Sequence, residues 1–311
     1  MAMSKLQGEL KENHNLKKYT SWHIGGVARY FYQPADLQDL SYFLSNFQEM
    51  FGAKKIIFLG AGSNVLIRDA GIDGVVICLR GVLNKLENIG NNFIQVESGA
   101  TCLQLVNYCL SLNLVDCIFL AGIPGTLGGA LAMNAGAHGD CLWNHVVAVN
   151  TIDKNGKINK RDAHEFKASY RHVEGLSADE WFVSATLKFT EGNVEAAKAT
   201  MQELLQKRKV SQPLDEYNCG SVFKNPPNDF AARLIESCGL KGKQIGGAKI
   251  SEKHANFIVN TGNATSADVD MLMQEISAVV EKRHKITLKP EVKILECESS
   301  ANGLKSNYMI N

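Results

Sequence analysis

A chain of 311 residues with 45% hydrophobic content is long enough for two or three compact units with ordinary buried cores. Its 33 basic and 32 acidic residues leave a formal charge of +1, so no global field recruits nucleic acid or an anionic membrane, and any anion must be met locally. The start, Met1 to Lys18, is polar and mixed in charge without the apolar core of a signal peptide, and the expected address is the cytoplasm.

Tyr19-Thr-Ser-Trp-His-Ile-Gly-Gly26 is a polar and aromatic stretch ending in a glycine pair. After Pro34, the residues Leu37, Leu40, Phe43, Leu44 and Phe47 recur at helical spacing and predict an amphipathic helix over 36–50. Lys54 to Leu59 is an apolar strand that runs into Gly60-Ala-Gly-Ser-Asn-Val-Leu66, and Gly74 to Leu79 reads as the next strand. Glycines after a strand also open a dinucleotide fingerprint. Here, however, the third glycine would fall at Val65, and Gly71 and Gly74 interrupt the segment where the helix should run, so a Rossmann unit is disfavoured. The glycines still suggest a phosphate or ribityl contact. Asn92 to Glu97 is a strand, and Thr101 caps a helix to Leu112 that carries Leu103, Val106 and Leu110.

The stretch from Phe119 to Gly139 holds six glycines and no Asp, Glu, Lys or Arg. It reads as a backbone cradle, because glycine lets amides approach a ligand closely and several amides pointing one way make an anion nest. A diphosphate would fit there. The competing reading is a membrane span over the uncharged run from Cys117 to Ala137, against which Pro124 and the crowded glycines argue.

Downstream, Val146 to Ile152 and Lys157 to Arg161 flank Asn155-Gly156, a strong hairpin signal, and Trp181 to Phe189 is a further strand. A long helix over 194–210 ends in Lys207-Arg-Lys209, where cations complement the C-terminal dipole, and it links two units. Helices over 229–238 and 266–284, the latter with Val269, Leu272, Ile276, Val279 and Val280 on one face and a capping box at Thr265 and Asp268, bracket a strand at Asn256 to Val259. Ile286 to Glu296 is extended and broken by Pro290, and Ser299 to Asn311 is a polar tail. The eight cysteines form no Cys-x-x-Cys pair and no zinc spacing, so they read as reduced, mostly buried thiols; Cys219, on a polar turn, stands apart.

Three clusters carry chemistry-bearing residue types. Tyr170-Arg171 pairs an aromatic with a guanidinium that could clamp a carboxylate or phosphate, although a surface arginine is the plainer reading. Asn218 to Pro226 gathers a hydroxyl, a cation and an amide around a turn, which is also what an ordinary polar turn contains. Glu291 stands between two lysines in an apolar strand, and residue patterns alone favour a surface salt bridge over a site carboxylate.

Gly60-Ala-Gly-Ser-Asn-Val-Leu66, Ala121-Gly-Ile-Pro-Gly125, Met133-Asn-Ala-Gly136, Tyr170-Arg171, Gly220-Ser-Val-Phe-Lys-Asn-Pro226 and Pro290-Glu-Val292 occur in the order seen in the UDP-N-acetylenolpyruvoylglucosamine reductase family, which the chain resembles from about Thr20 to Glu296. The resemblance implies an α+β fold: a two-lobed FAD-binding region of the vanillyl-alcohol-oxidase type over 1–193, divided near 79, then a C-terminal α+β substrate-binding domain over 194–298 and the tail 299–311. It implies non-covalent FAD held by Gly60, Ala61, Gly62, Ser63, Asn64, Val65 and Leu66 and by Ala121, Gly122, Ile123, Pro124, Gly125, Thr126, Gly129, Asn134, Gly136 and Ala137, with main-chain donors meeting the diphosphate.

The implied reaction is reduction of the enolpyruvyl double bond of UDP-N-acetylglucosamine enolpyruvate by NADPH through FAD, in peptidoglycan precursor synthesis. By the same resemblance Arg171 stabilises the enolate, Glu291 assists if held protonated beside the substrate carboxylate, and Ser221 hands over the proton. Tyr170, Lys224, Asn225 and His254 are the implied substrate contacts; His254 stands where one branch of the family has glutamine. No tyrosine-bearing insertion lies between Arg171 and Ser221, which places the chain nearer the branch without a substrate-covering loop. Expected partners are the UDP-sugar and NADPH, with no nucleic acid or membrane, and a monomer is the favoured state. The rival readings are an oxidase of the same fold, which would often tether its flavin through histidine or cysteine, and a nucleotide-sugar binder, which would not need Arg171, Ser221 and Glu291 together.

Overall fold

The computed structural model describes residues 5–52, 54–295 and the backbone of 309–310; Cys297 and the rest of the expected tail lie outside the described residues. The first lobe runs β1 (Glu9–Asn15), β2 (Val27–Gln33), α1 (Leu37–Ser45), α2 (Phe47–Phe51), β3 (Lys55–Leu59), β4 (Val65–Ile67) and β5 (Ile72–Cys78). Its sheet has β2, β5 and β3 parallel, with β1 antiparallel on β2. Ile56 to Leu59 and Val75 to Cys78 are buried on both faces, as parallel strands covered on both sides must be. The helix expected over 36–50 breaks at Asn46, whose side-chain amide turns back to donate to the Tyr42 carbonyl at 2.8 Å. The turn after β3 leads into strand β4 rather than a helix, so the Rossmann pattern fails where Gly71 and Gly74 indicated it would.

The second lobe comprises β6 (Leu86–Asn88), β7 (Phe93–Glu97), α3 (Cys102–Ser111), α4 (Leu127–Ala132), β8 (Gly136–Ala137), β9 (Asp140–Cys141), β10 (Val146–Asp153), β11 (Ile158–Asp162), β12 (Lys167–Ser169), β13 (His172–Glu174) and β14 (Glu180–Lys188). Its antiparallel sheet has the order β11-β10-β14-β7-β6. The Asn155-Gly156 hairpin forms as expected, with Ile152 opposite Ile158 and Gly156 at φ 78°. Thr101 and Gln104 cap α3 reciprocally, but Leu103 is 47% exposed, and Leu105, Val106, Cys109 and Leu110 carry the packing instead. The uncharged run from Cys117 splits into a 3₁₀ turn at Asp116–Leu120 and the short α4, and no described helix is long and apolar enough to cross a membrane. The described cysteines are free and buried or half-buried.

Helix α5 (Val194–Ser211) leads to α6 (Ala231–Ser237), β15 (Gln244–Ile245), β16 (Ala248–Ile250), β17 (Ile258–Asn260), α7 (Ser266–His284) and β18 (Lys293–Leu295). Here β15, β16 and β17 form an antiparallel sheet under α7, whose buried face is Val269, Leu272, Met273, Ile276 and Val280. Strand β18 leaves this domain and pairs in parallel with β4 of the first lobe. Two more contacts lock the same seam. Trp22 is wholly buried against the C-terminal core with its indole donating to the Ile258 carbonyl at 2.7 Å, and Asp69 accepts from the Ser266 amide and hydroxyl at the start of α7.

Asp39 ties the N-terminal segment to the first lobe. Its buried carboxylate accepts from the amides of Gln7, Gly8 and Ala35 at 2.9 to 3.0 Å and from the Tyr32 hydroxyl. Burial by itself would raise its pKa; the Tyr32 hydroxyl and the three amides outweigh that and hold it below the ordinary 3.8. A lowered folded pKa means the stabilisation is complete above the ordinary value and is lost as pH falls through the folded one. Asp39→Asn should therefore be less stable near neutrality and lose part of the stability change on acidification, measured by denaturant unfolding between about pH 6 and pH 3.

Candidate active site

The loop between β3 and β4 carries the feature on which the site is built. No described residue accepts a hydrogen bond from the five consecutive main-chain amides of Gly60, Ala61, Gly62, Ser63 and Asn64, although Gly60, Gly62 and Ser63 are buried. Buried amides in folded proteins are nearly always paired, so a run of unused donors marks a place for an anion. Gly62 turns the run inward at φ 67°, and a Cβ there would stand 1.9 Å from the Tyr19 carbonyl oxygen, which excludes any other residue. Across the cleft, the start of α4 adds a second set. The amides of Leu127 and Gly128 are bound to the Ala100 and Ser98 carbonyls, whereas those of Gly125, Thr126 and Gly129 have no described acceptor. The Thr126 hydroxyl is buried without a hydrogen-bond partner among the described residues. These orphaned donors, with no acidic residue in either loop, fit the diphosphate of a dinucleotide.

Between the two loops opens a cleft of about 410 Å³ lined by all three parts of the chain. Ser63, Asn64, Gly122, Ile123, Pro124, Gly136, Ala137, Tyr170, Arg171, Ser221, Asn225 and Glu291 line it. Gly60, Ala61, Gly62, Ala121, Gly125, Thr126 and Gly129 are not among its lining residues, and Val65 and Leu66 are core residues of β4. Asn134, at φ 41°, braces the second lobe: its side chain accepts from the Trp143 amide and donates to the Ser169 carbonyl, each at 3.2 Å.

The hairpin β12–β13 presents Tyr170 and Arg171 at its turn, with Arg171 at φ 56°. The Arg171 guanidinium lies over the Tyr170 ring, donates from Nε to Glu291 Oε1 at 2.6 Å, and reaches the Gly136 carbonyl at 3.4 Å. Glu291 is thus not a surface residue paired to its neighbouring lysines: its side chain is 11% exposed and aimed into the cleft. Its backbone is fixed on both sides, the amide donating to the Val222 carbonyl at 2.8 Å and the carbonyl accepting from the Asn64 side chain at 3.3 Å. The Ser221 turn is shaped by Asn218, which accepts the Gly220 amide at 2.9 Å, and Cys219 beside it is buried, which pushes its thiol well above the usual range. Asn225 meets Tyr170 through its backbone and holds the Ala231 amide at the start of α6. Lys224 donates its amide to the Lys289 carbonyl and stands close enough to Lys293 that, after burial, its charge helps pull that lysine's pKa down. His254 does not line the cleft. Its ring packs edge-on against Phe257, which does, and burial lowers its pKa.

One residue pair escaped the sequence patterns. Lys207 and Arg208, read there as ordinary C-terminal cations of a helix, line the cleft at the end of α5. Arg208 is held by Gln212 at 2.7 Å, burial pulls its pKa down, and no described carboxylate pairs with it. Its guanidinium lies 2.8 Å from where a Cβ on Gly122 would be, so a glycine there keeps room for a cation beside the cradle. The signal available in the sequence was a basic run at the end of a helix joining two domains.

The family model described as FAD binding domain matches residues 28–161, and that described as UDP-N-acetylenolpyruvoylglucosamine reductase, C-terminal domain, matches residues 212–295. The lobes, the donor-rich loops and the first match together define a flavoprotein with a two-lobed FAD-binding region of the vanillyl-alcohol-oxidase type and a separate C-terminal α+β domain. Curated proteins called UDP-N-acetylenolpyruvoylglucosamine reductase are similar over nearly the whole chain. That of Legionella pneumophila (strain Paris) is 49% identical, covering 93% of this chain and 94% of that protein, and that of Coxiella burnetii (strain Dugway 5J108-111) is 47% identical, covering 94% and 97%. The crystal structure of the enzyme of that name from Thermus caldophilus superposes with a TM-score of 0.79 at 29% identity, over 94% of this chain and 100% of that one. The chain belongs to the UDP-N-acetylenolpyruvoylglucosamine reductase family.

Because Gly62 admits no side chain, Gly62→Ala should displace the nest while leaving both sheets formed. The expected result is soluble protein with native far-ultraviolet circular dichroism and a sharply reduced flavin-to-protein absorbance ratio. A full complement of flavin in that variant would exclude this loop as the diphosphate cradle.

Proposed function

We propose that this chain reduces the enolpyruvyl double bond of UDP-N-acetylglucosamine enolpyruvate to UDP-N-acetylmuramate with NADPH, in cytoplasmic peptidoglycan precursor synthesis. The observation that carries this reading is the convergence of Arg171, Ser221 and Glu291, from three distant segments, on one cleft beside the amides of Gly60 to Asn64, which have no acceptor among the described residues. Bound non-covalently between the Gly60–Asn64 loop and the start of α4, FAD would supply hydride-transfer chemistry between NADPH and the double bond. Residues 1–193 would hold the cofactor, and residues 194–298 would supply the substrate domain.

Hydride arriving at the terminal carbon leaves negative charge on the adjacent carbon and its carboxylate. Arg171 is placed to carry that charge, and a substrate carboxylate would compete with Glu291 for its guanidinium. Ser221 gives a proton to the adjacent carbon and is restored from solvent. The balance is one hydride and one proton added across the double bond and NADPH oxidised to NADP⁺. Serine can act here because the carbanion-like centre is far more basic than an alkoxide's usual partners, so the proton moves downhill. Lys207, Arg208, Lys224 and Asn225 would meet the nucleotide-sugar diphosphate, with Arg208, which has no carboxylate partner among the described residues, gaining a phosphate. The hairpin β12–β13, whose Tyr170 and Arg171 line the cleft and whose Arg171 is bonded to Glu291, would shield the centre from water in place of the missing loop.

Mixing purified protein with NADPH and the enolpyruvyl UDP-sugar should consume NADPH, and denaturation should release free FAD; no NADPH loss with flavin present would overturn the reading. Ser221→Ala should leave flavin reduction by NADPH near the wild-type rate and slow reoxidation by the substrate about 10²- to 10⁴-fold, as loss of a general acid does. Equal slowing of both steps would instead indicate a displaced flavin. Turnover should fall further in Glu291→Ala than in Glu291→Gln, which keeps hydrogen bonding; two fully active variants would remove Glu291 from the chemistry.

A further inference from the structure

The stretch Tyr19–Gly26, which sequence patterns leave without a role, threads between the two halves of the site. The Ser21 amide donates to the Gly62 carbonyl at 2.9 Å, and the Ser21 hydroxyl donates to the Asn218 carbonyl at 2.6 Å. The first bond fixes the peptide at the centre of the five-amide run. The second fixes the start of the turn that presents Ser221, a turn Asn218 itself organises by accepting from Gly220 and donating to the Pro213 and Glu216 carbonyls at 2.8 and 2.7 Å. Ser21 cannot drift, because its neighbours are anchored. The Thr20 hydroxyl donates to the Ile24 carbonyl at 2.8 Å, and buried Trp22 both donates to Ile258 and accepts from the Asn260 side chain at 2.9 Å.

We infer that Ser21 is a positioning residue that sets the separation between the flavin cradle and the Ser221 hydroxyl, acting on proton delivery while touching neither substrate nor cofactor. The inference rests on the function proposed above, with Ser221 as the donor. Proton transfer demands that donor and acceptor come within hydrogen-bond reach, and a misplacement of about 1 Å can cost about 10²-fold in rate. The two bonds of Ser21 are separable. Its bond to Gly62 is made by the backbone and survives any change of side chain, whereas its bond to Asn218 is made by the hydroxyl alone. Truncating the side chain therefore loosens the Ser221 turn and leaves the cradle anchored.

Ser21→Ala should keep its flavin and its rate of flavin reduction by NADPH. Reoxidation by the enolpyruvyl UDP-sugar should slow about 10- to 10²-fold, with a larger solvent deuterium isotope effect as proton transfer becomes limiting. Independently of activity, amide hydrogen exchange should quicken at residues 220–222 and stay unchanged at 60–64. Ser21→Thr, which retains the hydroxyl, should restore both readouts. If Ser21→Ala proves insoluble, Ser21→Cys, nearly isosteric but a weak donor, carries the same comparison. Wild-type reoxidation with unchanged exchange at 220–222 would overturn the inference, as would equal loss of both half-reactions together with flavin. Failure of the parent protein's flavin to be reoxidised by the enolpyruvyl UDP-sugar would overturn the proposed function itself, and it is visible before any variant is made.

Discussion

The parallel pairing of β4 with β18 is the constraint on which the rest depends. Val65 to Ile67 and Lys293 to Leu295 come from opposite ends of the chain, and each is the continuation of one half of the site. The loop before β4 is the run of amides without an acceptor among the described residues, and the segment before β18 carries Glu291. Because strands in register fix neighbouring backbones to within a hydrogen-bond length, joining these two places the amide-rich loop and the carboxylate in a single frame. The Lys293 amide to Asn64 carbonyl bond, at 3.0 Å, and the Asn64 side chain on the Glu291 carbonyl extend that frame into the cleft.

A two-domain enzyme with a site at the seam must keep its domains from rocking, since seam contacts of modest size permit motion by default. Here the seam is held by groups of different kinds. Trp22 is a residue of the N-terminal segment buried in the C-terminal core, and Asp69 satisfies orphan donors at the start of α7. These are buried or half-buried contacts with directional bonds, and losing one leaves a polar group unpaired as well as a gap. The hairpin β12–β13 is tied differently. Its reach to the C-terminal domain rests on the side chains of Tyr170 and Arg171 at the rim of the cleft, which are the groups a ligand would address.

Groups able to meet an anion are divided between backbone and side chain in a way that suits a site receiving more than one phosphate-bearing molecule. The β3–β4 loop and the start of α4 offer amides, which carry no net charge and cost no side-chain ordering. Lys207 and Arg208 offer formal charge from the linker helix, with the Arg208 guanidinium beside Gly122. A near-neutral chain can therefore bind highly charged nucleotides without a basic surface, because the positive potential is confined to a concave, partly desolvated space.

Local signals in the sequence determined most of the elements. The Asn155-Gly156 hairpin, the Thr101 and Thr265 caps and the α7 stripe all formed where their patterns placed them, because each depends on residues within a turn or two of one another. The glycine loops were legible as turns that expose main-chain amides for the same reason, and the order of six motifs was enough to indicate the family. Where local patterns misled, the deciding partner was remote. Glu291 looked like a surface carboxylate between lysines until Arg171 stood opposite it, Lys207 and Arg208 looked like dipole caps until α5 swung them into the cleft, and Ser21 had no role until Gly62 and Asn218 met on either side of it. Burial and pairing of a polar side chain depend on what packs against it from elsewhere in the chain. Periodicity and spacing carry no information about that, and only the folded arrangement of the two lobes and the C-terminal domain supplies it.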